Sequence, residues 1–241
     1  MGGVHPSTFR IVFSLENNSI NLGGENQKLR PLARPWAFFR RMRILAGGQI
    51  IEDINQYNRV RELMHMLTST ASRDNDGAES FGPSRDTANG PNPTQWPGMN
   101  VSDAQVCMFK PLSGLINQGK FLPIRYMPLV IELEFVDNFA DLVMNQTCIG
   151  TVHGTFDDSN TSLNWSIINA EIKVDLCTLD NALDNSYAQH LLSGKSLPIN
   201  YSIWVSQCQT VTTGKMAVNV ARALTRLKSV FVTFIKDGQQ V

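Results

Sequence analysis

A chain of 241 residues with 42% apolar content is long and apolar enough to bury one large core or two modest ones, so disorder throughout is excluded. Its 21 basic and 21 acidic residues cancel, which removes the global field that draws a protein to nucleic acid or to an anionic membrane. Charged residues make up only 17%, below the usual quarter, which suits a surface that meets other protein or one kept soluble by Asn, Ser and Thr.

The N-terminal stretch MGGVHPSTFRIVF has neither the basic start nor the long apolar core of a signal peptide, and no window approaches the roughly 18 apolar residues of a membrane span. Synthesis in the cytoplasm or nucleus, without a membrane-spanning segment, is therefore expected. Phe9, Ile11, Phe13 and Leu15 alternate with Arg10, Val12 and Ser14, the period of a strand with one buried face, and Asn17 to Gly24 breaks it.

From Pro35 to Leu67 the chain reads PWAFFRRMRILAGGQIIEDINQYNRVRELMHML. Trp36, Phe38, Phe39, Met42, Ile44 and Leu45 suit a strand, Gly47-Gly48 supplies the positive φ angles of a tight hairpin turn, and Gln49 to Ile54 reads as the returning strand. Tyr57, Val60, Leu63, Met64 and Leu67 then recur at helical steps, with Asn55 as N-cap and Arg59, Arg61 and Glu62 turned outward.

Residues 73–100 are rich in Gly, Pro, Asn, Asp and Ser and have no periodicity. They read as a mobile surface loop or as an outward insertion or arm clasping a neighbouring subunit. Phe81 and Trp96 favour the arm, because large aromatics need somewhere to dock.

Further strands are expected where Leu129, Ile131, Leu133 and Phe135 alternate with Val130, Glu132 and Glu134, and across Ile168, Ala170, Ile172, Val174 and Leu176. Tyr201, Ile203 and Val205, and then Val230, Val232 and Phe234, repeat the pattern. Leu179 to Leu192 reads as a second helix with Leu183, Tyr187, Leu191 and Leu192 on one side. Such spacing argues for an all-β sandwich or barrel rather than a parallel α/β sheet.

Signals for chemistry are sparse. The phosphate-loop, dinucleotide, zinc-protease and nucleophile-elbow patterns are absent, so no catalytic, cofactor-binding or metal residue is assigned. His153 with Asp157 and Asp158 is the best cluster for a metal or a proton relay, but it fits a polar hairpin loop better. His5, His65 and His190 read as ordinary surface or helix residues. Cys107, Cys148, Cys177 and Cys208 lie roughly 30 to 40 residues apart without a CxxC pair, as buried reduced thiols do. Without a secretory signal, the glycosylation sequons at Asn145, Asn160, Asn164 and Asn200 read as by-products of an Asn-rich chain. Arg30, Arg34, Arg40, Arg41 and Arg43 are interleaved with aromatics, but alternation puts Arg40 on the face opposite Arg41 and Arg43. That split favours salt bridges and intersubunit pairing over a nucleic-acid platform.

Three segments in this order are similar to the major capsid proteins of double jelly-roll DNA viruses, the polinton-like, virophage and adenovirus-type lineage: Pro35–Leu67, LSGLINQGKFLPIRYMPLVIELEF from Leu112 to Phe135, and ARALTRLKSVFVTF from Ala221 to Phe234. In that family an aromatic-paired strand meets a short Gly turn, a strand follows, and a Tyr-led helix lies over the barrel end. The resemblance implies an antiparallel jelly-roll β-sandwich with one or two short helices, one domain over residues 1–241 and a loop insertion at 73–100. It implies a viral structural protein that self-assembles into homotrimeric capsomers of an icosahedral capsid, made in the host cytoplasm or nucleus and resident in the virion. Its partners are copies of itself and other capsid proteins, with weak nucleic-acid contact inside the shell, and it has no cofactor and no enzymatic activity. Arg40, Arg41, Arg43, Phe81 and Trp96 are then the candidate subunit-interface residues. Family members are usually much longer, so the chain corresponds to one jelly roll of a longer protein or to a shortened relative. The competing reading is a jelly-roll carbohydrate-binding module whose tryptophans stack on sugars, or a cupin-type metal enzyme, for which the histidines are too scattered.

Overall fold

The computed structural model describes residues 3–19, 29, 31, 34–69, 99, 101–137, 146–149, 152–156, 162–210, 217–218 and 226–234. Strands β1 (Gly3–Val4) and β2 (Arg10–Asn17) precede a 3-10 turn over Pro35–Phe38 and the strands β3 (Phe39–Ala46) and β4 (Gln49–Asn55). Helix α1 (Tyr57–Met66) follows, then β5 (Ala104–Phe109), β6 (Leu129–Phe135), β7 (Gln146–Ile149) and β8 (Val152–Phe156). Strands β9 (Trp165–Lys173) and β10 (Leu176–Cys177) and helix α2 (Asn181–Leu192) complete the described elements.

Among the described residues all ladders are antiparallel. One sheet has the order β5-β2-β9 and a second β4-β3-β6, while β1 pairs with β10 and β7 with β8. The β3–β4 hairpin forms as expected, with Gly47 and Gly48 at φ 55 and 82, the positive angles a two-residue turn demands.

Ile11, Phe13 and Leu15 of β2 and Cys107 and Phe109 of β5 join Met42 and Ile44 of β3 and Ile54 of β4 in one buried cluster. The Phe13 ring lies edge-on to Phe38, Phe39 and Phe109, with centroids 6.4, 5.8 and 6.4 Å away. Each such pair adds about 0.5–1.5 kcal/mol beyond the area it buries. Since Phe13 belongs to one sheet and Phe39 to the other, the two sheets are the layers of a β-sandwich.

Several elements depart from the local pattern. The strand expected from Trp36 begins at Phe39, because Pro35 starts a 3-10 turn that buries Trp36, Ala37 and Phe38. Helix α1 turns most of the expected stripe inward, with Tyr57 buried and Val60 and Met64 packed against the core, but Leu67 is exposed and His65 is buried in addition. Arg61 and Glu62 turn inward rather than outward. The buried Trp36 indole donates from Nε1 to Glu62 Oε2 at 2.8 Å, and the Arg61 guanidinium sits 4.3 Å from the Trp36 ring centroid. His65, expected as an ordinary helix residue, packs its ring 5.2 Å from Trp36. The N-cap is Gln56, with left-handed φ of 50, rather than Asn55.

On β9 the expected alternation is inverted in the first half of the strand and restored beyond a bulge, where Val174 packs against the core. Trp165 opposite Asn17 and Ile167 opposite Leu15 face the core, and one extra β9 residue follows where Asn169 adopts φ 52. Ile168, opposite Ser14, therefore turns outward, whereas past the bulge Ile172 lies opposite the buried Ile11 on the expected side yet is still exposed. The half-buried positions of α2 are Asp184, Tyr187, Ala188, His190 and Leu191, while Leu183 and Leu192 are exposed. Asp184 accepts from Arg125 Nη1 at 2.7 Å, which turns that side of the helix inward. The strands expected at Tyr201–Val205 and Val230–Phe234 join no ladder among the described residues. Of the expected 73–100 loop only Met99 is described, and it is buried and exchanges two 2.9 Å backbone bonds with Leu29. Phe81 and Trp96 lie outside the described residues.

Candidate functional site

The β3 arginines stand on the solvent side of the β4-β3-β6 sheet. Arg41 and Arg43 share that face by alternation with the buried Met42 and Ile44. Arg40 joins them, contrary to simple alternation, because two β3 residues oppose one of β6 between Phe39 and Arg41. This bulge turns Phe39 to the core and sends Arg40 outward to Glu134 and Asp137.

Arg41 donates from Nε and Nη2 to the two carboxylate oxygens of Asp53 at 2.9 and 2.7 Å, the planar fork that a guanidinium matches best. Arg43 Nη2 lies 2.9 Å from Glu132 Oε2. The hydrogen bonds that Arg40 donates to Glu134 and Arg41 to Asp53 hold both guanidiniums above their ordinary pKa. Three guanidiniums thus meet four carboxylates, Asp53, Glu132, Glu134 and Asp137. A nucleic-acid phosphate has to displace a carboxylate to reach any of them, whereas a protein surface can meet this ladder of alternating charge as it stands. A groove of about 530 Å³ runs beside it, lined by Arg40, Arg41, Glu134, Asn55, Gln56 and residues 206–209.

Behind the face lies a carboxylate that sequence reasoning passed over. Glu52 is only 2% exposed and lies on the core side of β4, two residues before Ile54. Ser113 Oγ donates to it at 2.5 Å, the Gly114 N–H at 3.0 and 3.2 Å and the Trp204 N–H at 3.3 Å. The Tyr57 hydroxyl oxygen accepts from the Leu112 N–H at 2.9 Å. β4 and α1 together therefore clamp the loop at 112–114 and the segment carrying Trp204. The signal in the sequence was parity, since Glu52 and the apolar Ile54 share one face of a strand.

The remaining candidates are not brought together. His153 lies in β8 opposite Cys148, and Asp157 and Asp158 fall outside the described residues. No group of three His, Cys, Asp or Glu able to hold a metal occurs among the described residues. Cys107 is buried, and burial pushes its thiol up to about 12. Cys177 is half-buried and Cys208 exposed, so the expectation of buried thiols fails at Cys208. Trp36 and Trp165 are buried and Trp204 half-buried. Among the described residues no helix is long and apolar enough to cross a membrane. Comparison with protein-family models, with curated proteins and with solved structures finds no match.

Proposed function

We propose that this chain is a jelly-roll capsid protein of a DNA virus, whose function is to tile with copies of itself into trimeric capsomers of an icosahedral shell. The observation that carries the reading is the unit from Pro35 to Met66. A strand opening on Phe39 after the turn that holds Trp36 and Phe38, a Gly-Gly turn, a return strand and a Tyr-led helix follow in the order the resemblance implies, within a two-layer antiparallel sandwich. The long-range pairing of β2 with both β5 and β9 suits jelly-roll winding. The work done is assembly rather than catalysis, without a cofactor, and the ion-pair face bearing Arg40, Arg41 and Arg43 is a candidate contact surface. Burial of Trp36 and Trp165 weighs against the sugar-binding alternative, because a buried indole has no face free to stack on a ring.

Light scattering on a size-exclusion column, with negative-stain electron microscopy of the purified chain, tests the reading. Discrete trimers or shells in the absence of ligand are expected. A strict monomer at high concentration that binds a sugar or a metal would replace capsid assembly with a binding module.

A further inference from the structure

The stretch from Arg226 to Phe234 has the composition of a strand, yet it joins no ladder among the described residues. Its apolar side chains are open to solvent on both sides: Leu227 is 64% exposed, Val230 68%, Phe231 48%, Val232 63% and Phe234 77%. With aromatic side chains burying about 150–250 Å² each, the stretch presents on the order of 600 Å² of apolar surface. That approaches the roughly 800 Å² per partner of a stable interface, and it is the upper end of what a monomer leaves bare.

A matching acceptor exists on the same chain. Among the described residues β9 is an edge of the β5-β2-β9 sheet, and its six residues from Ile168 to Lys173 are all exposed. An edge so long and uncovered is a template for another strand.

Resting on the capsid reading, we propose that residues 226–234 of one copy add as a strand to the free edge of β9 in a second copy. The tether explains why the acceptor is a second copy. Phe231 packs against Trp204 at 6.5 Å between ring centroids, and Trp204 is bonded through its N–H to Glu52 of β4. The donor is therefore held to the layer opposite the one that contains its own β9. Donor-to-edge contacts join unlike surfaces, so they build a ring when the rotation closes, as a trimer requires. Main-chain bonds supply the attachment, and Val230, Val232 and Ile172 supply the apolar pairing.

The test uses the full chain and two charged variants: a donor variant with Val230→Lys and Val232→Lys, and an edge variant with Ala170→Lys and Ile172→Lys. Sedimentation should show each alone associating at least about tenfold more weakly than the parent, with unchanged circular dichroism. An equal mixture should restore one contact only, giving heterodimers and nothing larger. Hydrogen exchange on the parent decides the case if a variant unfolds: amides of 168–173 and 229–234 should gain protection together as concentration rises. Protection that is independent of concentration means pairing within one chain and overturns the proposal. A parent oligomer that both variants reproduce overturns this contact and leaves capsid assembly standing, whereas a monomeric parent removes both.

Discussion

Ser113 Oγ donates a 2.5 Å hydrogen bond to the carboxylate of Glu52, 61 residues earlier in the chain. The same carboxylate accepts from the N–H groups of Gly114 and Trp204, so one buried side chain joins three distant segments. Replacing Glu52 by Gln turns an acceptor into an amide donor facing these donors. A loss of about 1–3 kcal/mol in urea unfolding is expected, and Glu52→Ala, which orphans every donor, should cost more. Equal unfolding midpoints for parent and Gln variant would show that the clamp carries no stability.

Gly114 is where the clamp closes. A Cβ there would stand 1.6 Å from the Ser202 carbonyl oxygen, a backbone atom that cannot swing aside. Gly114→Ala should therefore destabilise by about 1–3 kcal/mol and loosen the 201–206 segment, raising its hydrogen-exchange rate. Unchanged exchange there would show that the backbones are not in contact.

Helix α1 makes opposite predictions for two of its positions. Tyr57→Phe removes the acceptor for the buried Leu112 N–H and should cost about 1–2 kcal/mol. Leu67→Asp lies on an exposed side chain and should stay within about 0.5 kcal/mol of the parent. Reversal of that order in thermal melts would mean that the helix packs on the other face.

Stability should fall in alkali. Burial holds the Cys107 thiol at about 12, against an ordinary value of 9.0, and raises the Tyr57 phenol further still. For such acids the folded state keeps protons that the unfolded chain releases. Their stabilisation is complete below about pH 9 and is lost as pH climbs towards 12, at roughly 1.4 kcal/mol per pH unit for one group. Urea midpoints at about pH 8 and pH 10 should diverge in the parent and converge in Cys107→Ala; a parallel fall in both would exclude the thiol as the cause.

Reversing Arg41 and Arg43 to Glu places like charge against Asp53 and Glu132. The double variant should keep its β-rich circular dichroism, lose about 1 kcal/mol of stability and form weaker trimers. Trimers of parental affinity would take these arginines out of the interface and leave them as intrachain pairs.

Local chemistry was enough to read the β3–β4 hairpin, because two successive glycines between apolar runs permit the positive φ angles that other residues resist. The start of α1 at Tyr57 and the strands holding Phe13 and Leu133 were legible for the same reason: their apolar period matches one backbone geometry and no other. Pairing was not legible. That β2 lies between β5 and β9 depends on contacts 90 or more residues apart, such as Ile11 with Phe109 and with Ile172, and no local propensity encodes them. The same holds within elements whose neighbours override the period. The bulge after Phe39 moves Arg40 to the outer face, and the Trp36 indole, needing an acceptor once buried, draws Glu62 inward. Glu52 reads as a surface carboxylate until Ser113, Gly114 and Trp204 arrive from elsewhere to satisfy it, since burying a charge is tolerable only when its hydrogen bonds are met. Sequence alone thus determined the turn at Gly47-Gly48 and the strand or helix character of the runs around Phe13, Leu133 and Tyr57. Tertiary structure decided which strands became neighbours, which polar groups went inside and which apolar stretch was left exposed.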